Sequence, residues 1–123
     1  MMDVKSMTHA EIDIAVARAM GWRLSRNYEQ NILLVKSEDA GNGASMLASQ
    51  WRPSENYGDA MAVLWEMQRM ELPPRISFIG TSMAGGKCVV LVYISAEKGV
   101  RGMGEFCEAI CEAYLLAMEV IRG

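Results

Sequence analysis

The spacing of apolar positions divides the chain into three helical and four extended stretches. In "THAEIDIAVARAMG", Ile12, Ala15, Val16, Ala19 and Met20 recur at helical spacing. Thr8 and Glu11, three residues apart, form a capping box in which each side chain bonds the other residue's backbone N–H, and Gly21 supplies the stop. "WRLSRNY" and "NILLVKS" read as two short strands with Glu29 to Asn31 as their turn. From Glu38 to about Gln50 the chain becomes polar and glycine-containing, "EDAGNGASMLASQ", which predicts a long loop of the kind that is functional or mobile.

A second helix is predicted from Tyr57 to about Met70. Asn56 and Asp59 cap its start, Ala60, Val63, Leu64 and Met67 make its buried stripe, and Pro73 and Pro74 end it. "RISFIGT" and "KCVVLVYIS" read as a β-hairpin about "SMAGGK". "AEKGVRGMG" reads as a connector into a last helix, Glu105 to about Ile121. The order is α-β-β-α-β-β-α, with strands joined by short turns and helices between the pairs. It predicts one α+β domain over residues 1–123, an antiparallel four-stranded sheet with helices packed on it.

Composition excludes several functions. With 51% hydrophobic and 22% charged residues the chain has the makings of an ordinary core. A net charge of −3 argues against general affinity for DNA or RNA duplexes and for anionic membranes. No apolar run reaches the roughly 18–20 residues of a membrane-spanning helix. "MMDVKSMTHAE" lacks the apolar centre of a signal peptide. Three cysteines, Cys88, Cys107 and Cys111, are an odd number, which points to a reducing cytosol rather than a disulfide framework. Eleven methionines supply flexible filler for a core or an apolar assembly surface.

Catalytic chemistry is sparse. The single histidine, His9, lies in the first turn of the first helix and reads as a solvated residue beside a cap. No serine–histidine–acid combination stands among its sequence neighbours. No C-x-x-C or H-x-x-x-H spacing occurs, so no metal or cofactor is expected. "GTSMAGGKC" fails as a phosphate loop: the first required glycine falls on Thr81, the closing Ser/Thr on Cys88, and a strand follows. Glu105, Glu108, Glu112 and Glu119 form an acidic stripe on the last helix, either a solvated face or the makings of an acid/base pair or divalent-ion site. The same helix is apolar over most of its circumference, from Phe106 to Ile121, which predicts a second packing partner and hence a homo-oligomer.

"QWRPSENYGDAMAVLWEM" carries the one binding kit. Arg52 can grip a phosphate, Trp51 or Tyr57 can stack on a base, and Ser54 and Asn56 flank a helix N-terminus suited to anions. Phe78, Lys98 and Arg101 can contribute from elsewhere. The same residues also describe a capped helix with Trp51 in the core and Arg52 on the surface.

"IDIAVARAMGWRL", "WRPSENYGDAMAVLWEMQRM" and "AICEAYLLAMEVI" resemble, in order, the three signature helices of the phage αβα-sandwich domain family. Trp51, Ser54 and Asn56 match the start of its second helix, and Trp22 the tryptophan that closes its first. Glu112 departs from the pattern, standing where relatives often carry arginine. The resemblance implies a small oligomeric phage protein of the host cytoplasm, not an enzyme. Some members are Thoeris anti-defence sponges that bind cyclic ADP-ribose isomers without cleaving them, and some also hold cyclic oligonucleotides in separate pockets. The residues leave two alternatives open: an oligomeric phage structural or interaction protein with no small-molecule ligand, and a metal-assisted hydrolase built on the acidic stripe.

Overall fold

The computed structural model describes residues 3–27, 30–34, 45–72, 74–79 and 87–122. Among them are helices α1 (His9–Ala19), α2 (Tyr57–Arg69) and α3 (Phe106–Arg122). The strands are β1 (Arg23–Asn27), β2 (Gln30–Leu34), β3 (Ser45–Leu47), β4 (Arg75–Ile79), β5 (Lys87–Tyr93) and β6 (Gly99–Glu105). Short 3-10 turns occupy Val4–Ser6 and Ala48–Gln50.

The class is α+β, but the four-stranded sheet gives way to two antiparallel three-stranded sheets, β1-β2-β3 and β4-β5-β6. Each sheet gains a strand from a stretch that reads as irregular. Ser45–Leu47, inside the expected loop, pairs with Ile32–Leu34. "GVRGMGE", read as a connector, pairs along its whole length with β5, Tyr93 opposite Gly99 through Lys87 opposite Glu105. Three glycines strip β6 of the apolar alternation by which a strand is recognised. The expected turn at Glu29–Asn31 is also displaced, since Gln30 and Asn31 already belong to β2. Residues 35–44, the hairpin turn at 80–86, Glu29 and Pro73 lie outside the described residues.

Both expected helix caps form. Thr8 accepts from the Glu11 N–H while Glu11 accepts from the Thr8 N–H, at 3.2 and 3.0 Å. Asn56 Oδ1 accepts from the Asp59 N–H at 2.9 Å.

Helix α3 is the centre of the core. It lies on β5 and β6 and is flanked by α1 and α2. Ten of its 17 residues are buried, so this chain's own elements cover most of its apolar arc, while Ile121 near its end stays 44% exposed. On β5, Cys88, Val90 and Val92 alternate as the buried face. The approach of α3 to β6 is close enough that a Cβ on Gly102 would collide with the Ala109 carbonyl and the Ala113 nitrogen.

Strand β6 pairs with β5 alone among the described strands, so one edge of its backbone needs other partners. Glu112, only 7% exposed, supplies one of them. Its Oε1 accepts from the Met103 N–H at 2.7 Å, while the Lys5 ammonium donates to the Met103 carbonyl and stands 3.4 Å from the same carboxylate. Glu112, an acid of the expected solvated stripe, therefore belongs to the sheet edge.

Two substitutions test this packing by urea unfolding. Gly102→Ala should cost about 3 kcal/mol, the scale of overpacking a filled core. Glu112→Ala should cost about 2–3 kcal/mol for a buried charge-assisted bond. Glu112→Arg should cost more than Glu112→Ala: both leave the Met103 N–H without its acceptor, and arginine also adds a cation beside Lys5.

Candidate functional site

Residues 51–57 cross from the second 3-10 turn into α2, and two consecutive ties strap them to α1. The Trp51 indole N–H donates to the Asp13 carbonyl at 3.0 Å, and the Ser54 N–H donates to Asp13 Oδ1 at 2.8 Å. Ser54 Oγ lies 3.0 Å from His9 Nδ1. The Trp51 ring is 4% exposed and packs on Trp22 with centroids 4.5 Å apart, tilted by 53°. Trp51 is thus packed mainly into the core, with little of it left at the wall of a cleft. Asp13, the anchor of both ties, is itself buried at 4% exposure.

The N-terminus of α2 is already furnished with acceptors. Asn56 takes the Asp59 N–H, and Asp59 Oδ2 accepts from the Arg52 N–H at 2.9 Å. The Arg52 guanidinium, in turn, donates to Glu55 Oε2 at 2.9 Å. Asn56 and Asp59 therefore fill the role that a bound anion would take at a bare helix start. Arg52 keeps more than half of its side chain exposed and shares it with one neighbouring carboxylate.

The strapped turn is a wall between two clefts. On one side, a cleft of about 540 Å³ opens between α1, Asn31 of β2 and the Leu47–Ser49 turn, with Asp13, Trp51, Arg52 and Glu55 on its near wall. On the other, a pocket of about 350 Å³ is lined by His9, Ser54, Glu55, Tyr57, Phe106 and Glu108, where α1, α2 and α3 all begin. There Tyr57 stacks on Phe106, centroids 5.4 Å apart and 24° between planes. Three glutamates, Glu55, Glu105 and Glu108, rim this pocket, an arrangement that disfavours phosphate.

The structure thus divides the expected site residues. Trp51 and Arg52 face the larger cleft, while Ser54 and Tyr57 face the smaller pocket. Asn56 is spent as a cap. Phe78 takes a place in β4 opposite Cys88, its side chain lying outside the described part. Lys98, in the β5–β6 turn, and Arg101, opposite Leu91 on β6, line neither cleft.

Four contributors escaped the sequence reading. His9 is not merely solvated, since it pairs with Ser54 across 45 residues and its Nε2 lies 3.9 Å from Glu108 Oε1. Asp13 left a trace, because it falls on the buried stripe of α1 with Val16, Ala17 and Met20. Asn31 and Ser49 left none.

The acidic stripe does not act as a unit. Glu112 is committed to β6, Glu105 ends that strand and Glu108 faces the pocket. Among the described residues no group of three or more His, Cys, Asp and Glu is placed to hold a metal ion. All three cysteines are free and buried; burial raises their thiols, Cys107 to about 11. No described helix is long and apolar enough to cross a membrane.

No family model matches the chain, and no curated protein is significantly similar to it. The resemblance of the three helices rests on their own residues.

Burial raises the Asp13 carboxyl above its ordinary range, against the opposing bonds from Ser54. A carboxyl whose folded pKa is raised favours folding below its unfolded value and loses that contribution as pH rises through the folded one. Asp13→Asn retains an acceptor for the Ser54 N–H and removes the charge. Its stability relative to the native chain should therefore increase as pH rises from about 4 toward neutrality, measured by urea unfolding across that range.

Proposed function

We propose that the protein binds and sequesters a cyclic nucleotide signal, of the cyclic ADP-ribose class or a cyclic oligonucleotide, without cleaving it. The observation that carries this reading is the 540 Å³ cleft, which brings an exposed guanidinium and a buried carboxyl to one wall. That volume falls within the roughly 300–1,000 Å³ typical of small-molecule sites. The resemblance of the three helices to the phage family supports it, and on this reading the protein acts in the host cytoplasm.

Each wall has a part in capture. Arg52 receives a phosphate, exchanging its bond to Glu55 for one to the ligand. Asp13, Asn31 and Ser49 offer donors and acceptors to a base or a ribose, and Ile14, Leu47 and Ala48 supply apolar surface beneath it. Asp13 is fixed by the Ser54 N–H, so the polar wall is set before the ligand arrives.

The test is capture and release: protein mixed with a cyclic ADP-ribose isomer is washed, heat-denatured, and the released molecule weighed by mass spectrometry. An intact isomer is the expected result. Arg52→Ala should weaken binding by about ten- to a hundredfold with an unchanged unfolding midpoint. Glu55→Gln should tighten it by freeing Arg52 from its rival anion. An untouched signal in the flow-through, or equal capture by Arg52→Ala, would sink the reading. The alternative of an interaction protein with no ligand draws its support from a different surface, the exposed Tyr57, Met61 and Trp65 of α2.

A further inference from the structure

The smaller pocket brings together three side chains that the sequence keeps far apart. Ser54 Oγ lies 3.0 Å from His9 Nδ1, and His9 Nε2 lies 3.9 Å from Glu108 Oε1. All three residues line the same cavity of about 350 Å³. A hydroxyl, an imidazole and a carboxylate in that order are the parts of a nucleophilic triad, which is recognised by geometry and roles rather than by sequence position. A carboxylate on the Nε2 side favours the tautomer that carries its proton there, which leaves the Nδ1 lone pair for the serine hydroxyl. The other acceptor near Ser54 Oγ, the His9 carbonyl, is farther away at 3.5 Å.

The hydroxyl is not needed to hold the turn. The Ser54 N–H is tied to Asp13 Oδ1, and the next two N–H groups, of Glu55 and Asn56, both donate to the Arg52 carbonyl. These bonds fix the backbone and leave the side chain outside all of them. Ser54 is 3% exposed, whereas the side chains of His9 and Glu108 are 47% and 35% exposed, so the three groups run from the interior outward.

We propose that this pocket hydrolyses a carboxylic ester, with Ser54 as nucleophile, His9 as proton carrier and Glu108 as the residue that positions the ring. Ser54 Oγ attacks the ester carbonyl carbon as its proton passes to His9 Nδ1. The bond from that carbon to the alcohol oxygen then breaks, and the departing oxygen takes the proton from His9. Water attacks the acyl-serine next and gives a proton to His9. The acid leaves and Ser54 regains its proton, so that ester and water become acid and alcohol. Helix α3 begins at the same pocket with Cys107 and Glu108. N–H groups in the first turn of a helix have no partner within it, which suits them to the oxygen that turns negative during attack.

The rim selects the substrate. Glu105 and Glu108 stand beside the stacked Tyr57 and Phe106, and Glu55 adds a third carboxylate, shared with Arg52. Carboxylates and aromatic faces attract a cation and disfavour an anion. The substrate class is an ester with a positively charged group near the scissile bond. This inference stands independently of the nucleotide reading, which concerns the other cleft.

The test uses the whole chain, with substitutions that keep the native circular dichroism spectrum. A neutral fluorophosphonate should attach to Ser54 with loss of fluoride, located by mass spectrometry of the digested protein, and Ser54→Ala should take no label there. Hydrolysis of p-nitrophenyl acetate should vanish in Ser54→Ala. In His9→Gln, whose amide cannot accept the proton, it should fall by about 100-fold or more. Glu108→Gln should lower kcat by about tenfold and leave KM for this uncharged ester unchanged, as expected of a group that acts only while the ring gains its charge. Between the p-nitrophenyl esters of 4-(trimethylammonio)butyrate and of succinate, each corrected for its rate without protein, the cationic ester should have the higher kcat/KM. An unlabelled Ser54, hydrolysis no faster than in Ser54→Ala, or a His9→Gln variant as fast as the native chain would each overturn the proposal. An unchanged kcat in Glu108→Gln overturns the part given to Glu108, and a preference for the succinate ester overturns the substrate class.

Discussion

The contact between α3 and β6 organises this molecule. Gly102 admits the helix backbone to the strand, and Glu112 reaches from the helix to bond the strand's outward N–H. Lys5 closes the same edge by taking the carbonyl of Met103. With α3 fixed, α1 and α2 have a buried surface on each side to pack against. At Met103 the edge is satisfied by charged side chains and has little left there to offer a foreign strand.

The candidate site is built on what that framework leaves at the surface. Asp13 accepts from both Trp51 and Ser54, through its carbonyl and its carboxylate respectively, so one residue of α1 sets the position of the whole turn. The turn then presents opposite faces to two clefts of contrasting character, one with a guanidinium and the other ringed by glutamates. On the proposed reading, anion recognition in the first uses a side chain already engaged to Glu55, so that binding is an exchange of partners rather than the filling of an empty site.

What could be read from sequence follows the range of the interaction. The two caps, at Thr8 with Glu11 and at Asn56 with Asp59, are local bonds with a fixed offset, and both form. Strand β5, with its alternating Cys88, Val90 and Val92, announces itself. Strand β6 does not, because the constraint that made Gly102 necessary comes from Ala109 and Ala113 on the following helix. Likewise nothing near Trp51 foretells that its ring will meet Trp22, or that Ser54 will find His9. Glu112 shows the limit most clearly: on the helix alone it belongs to an acidic stripe, and only the sheet edge beneath it explains its burial.

The three tryptophans occupy two opposed environments. Trp22 and Trp51 form a tilted, buried pair within coupling distance, whereas Trp65 stands in water at 70% exposure. The protein therefore carries two separable optical signals. The buried pair imposes a chiral near-ultraviolet band that reports on the joint between α1 and the strapped turn, and its blue-shifted emission disappears with the core. The red-shifted emission of Trp65, accessible to aqueous quenchers, reports on the outer face of α2 alone. Changes at the cleft and changes at the helix surface can then be followed in one unlabelled sample.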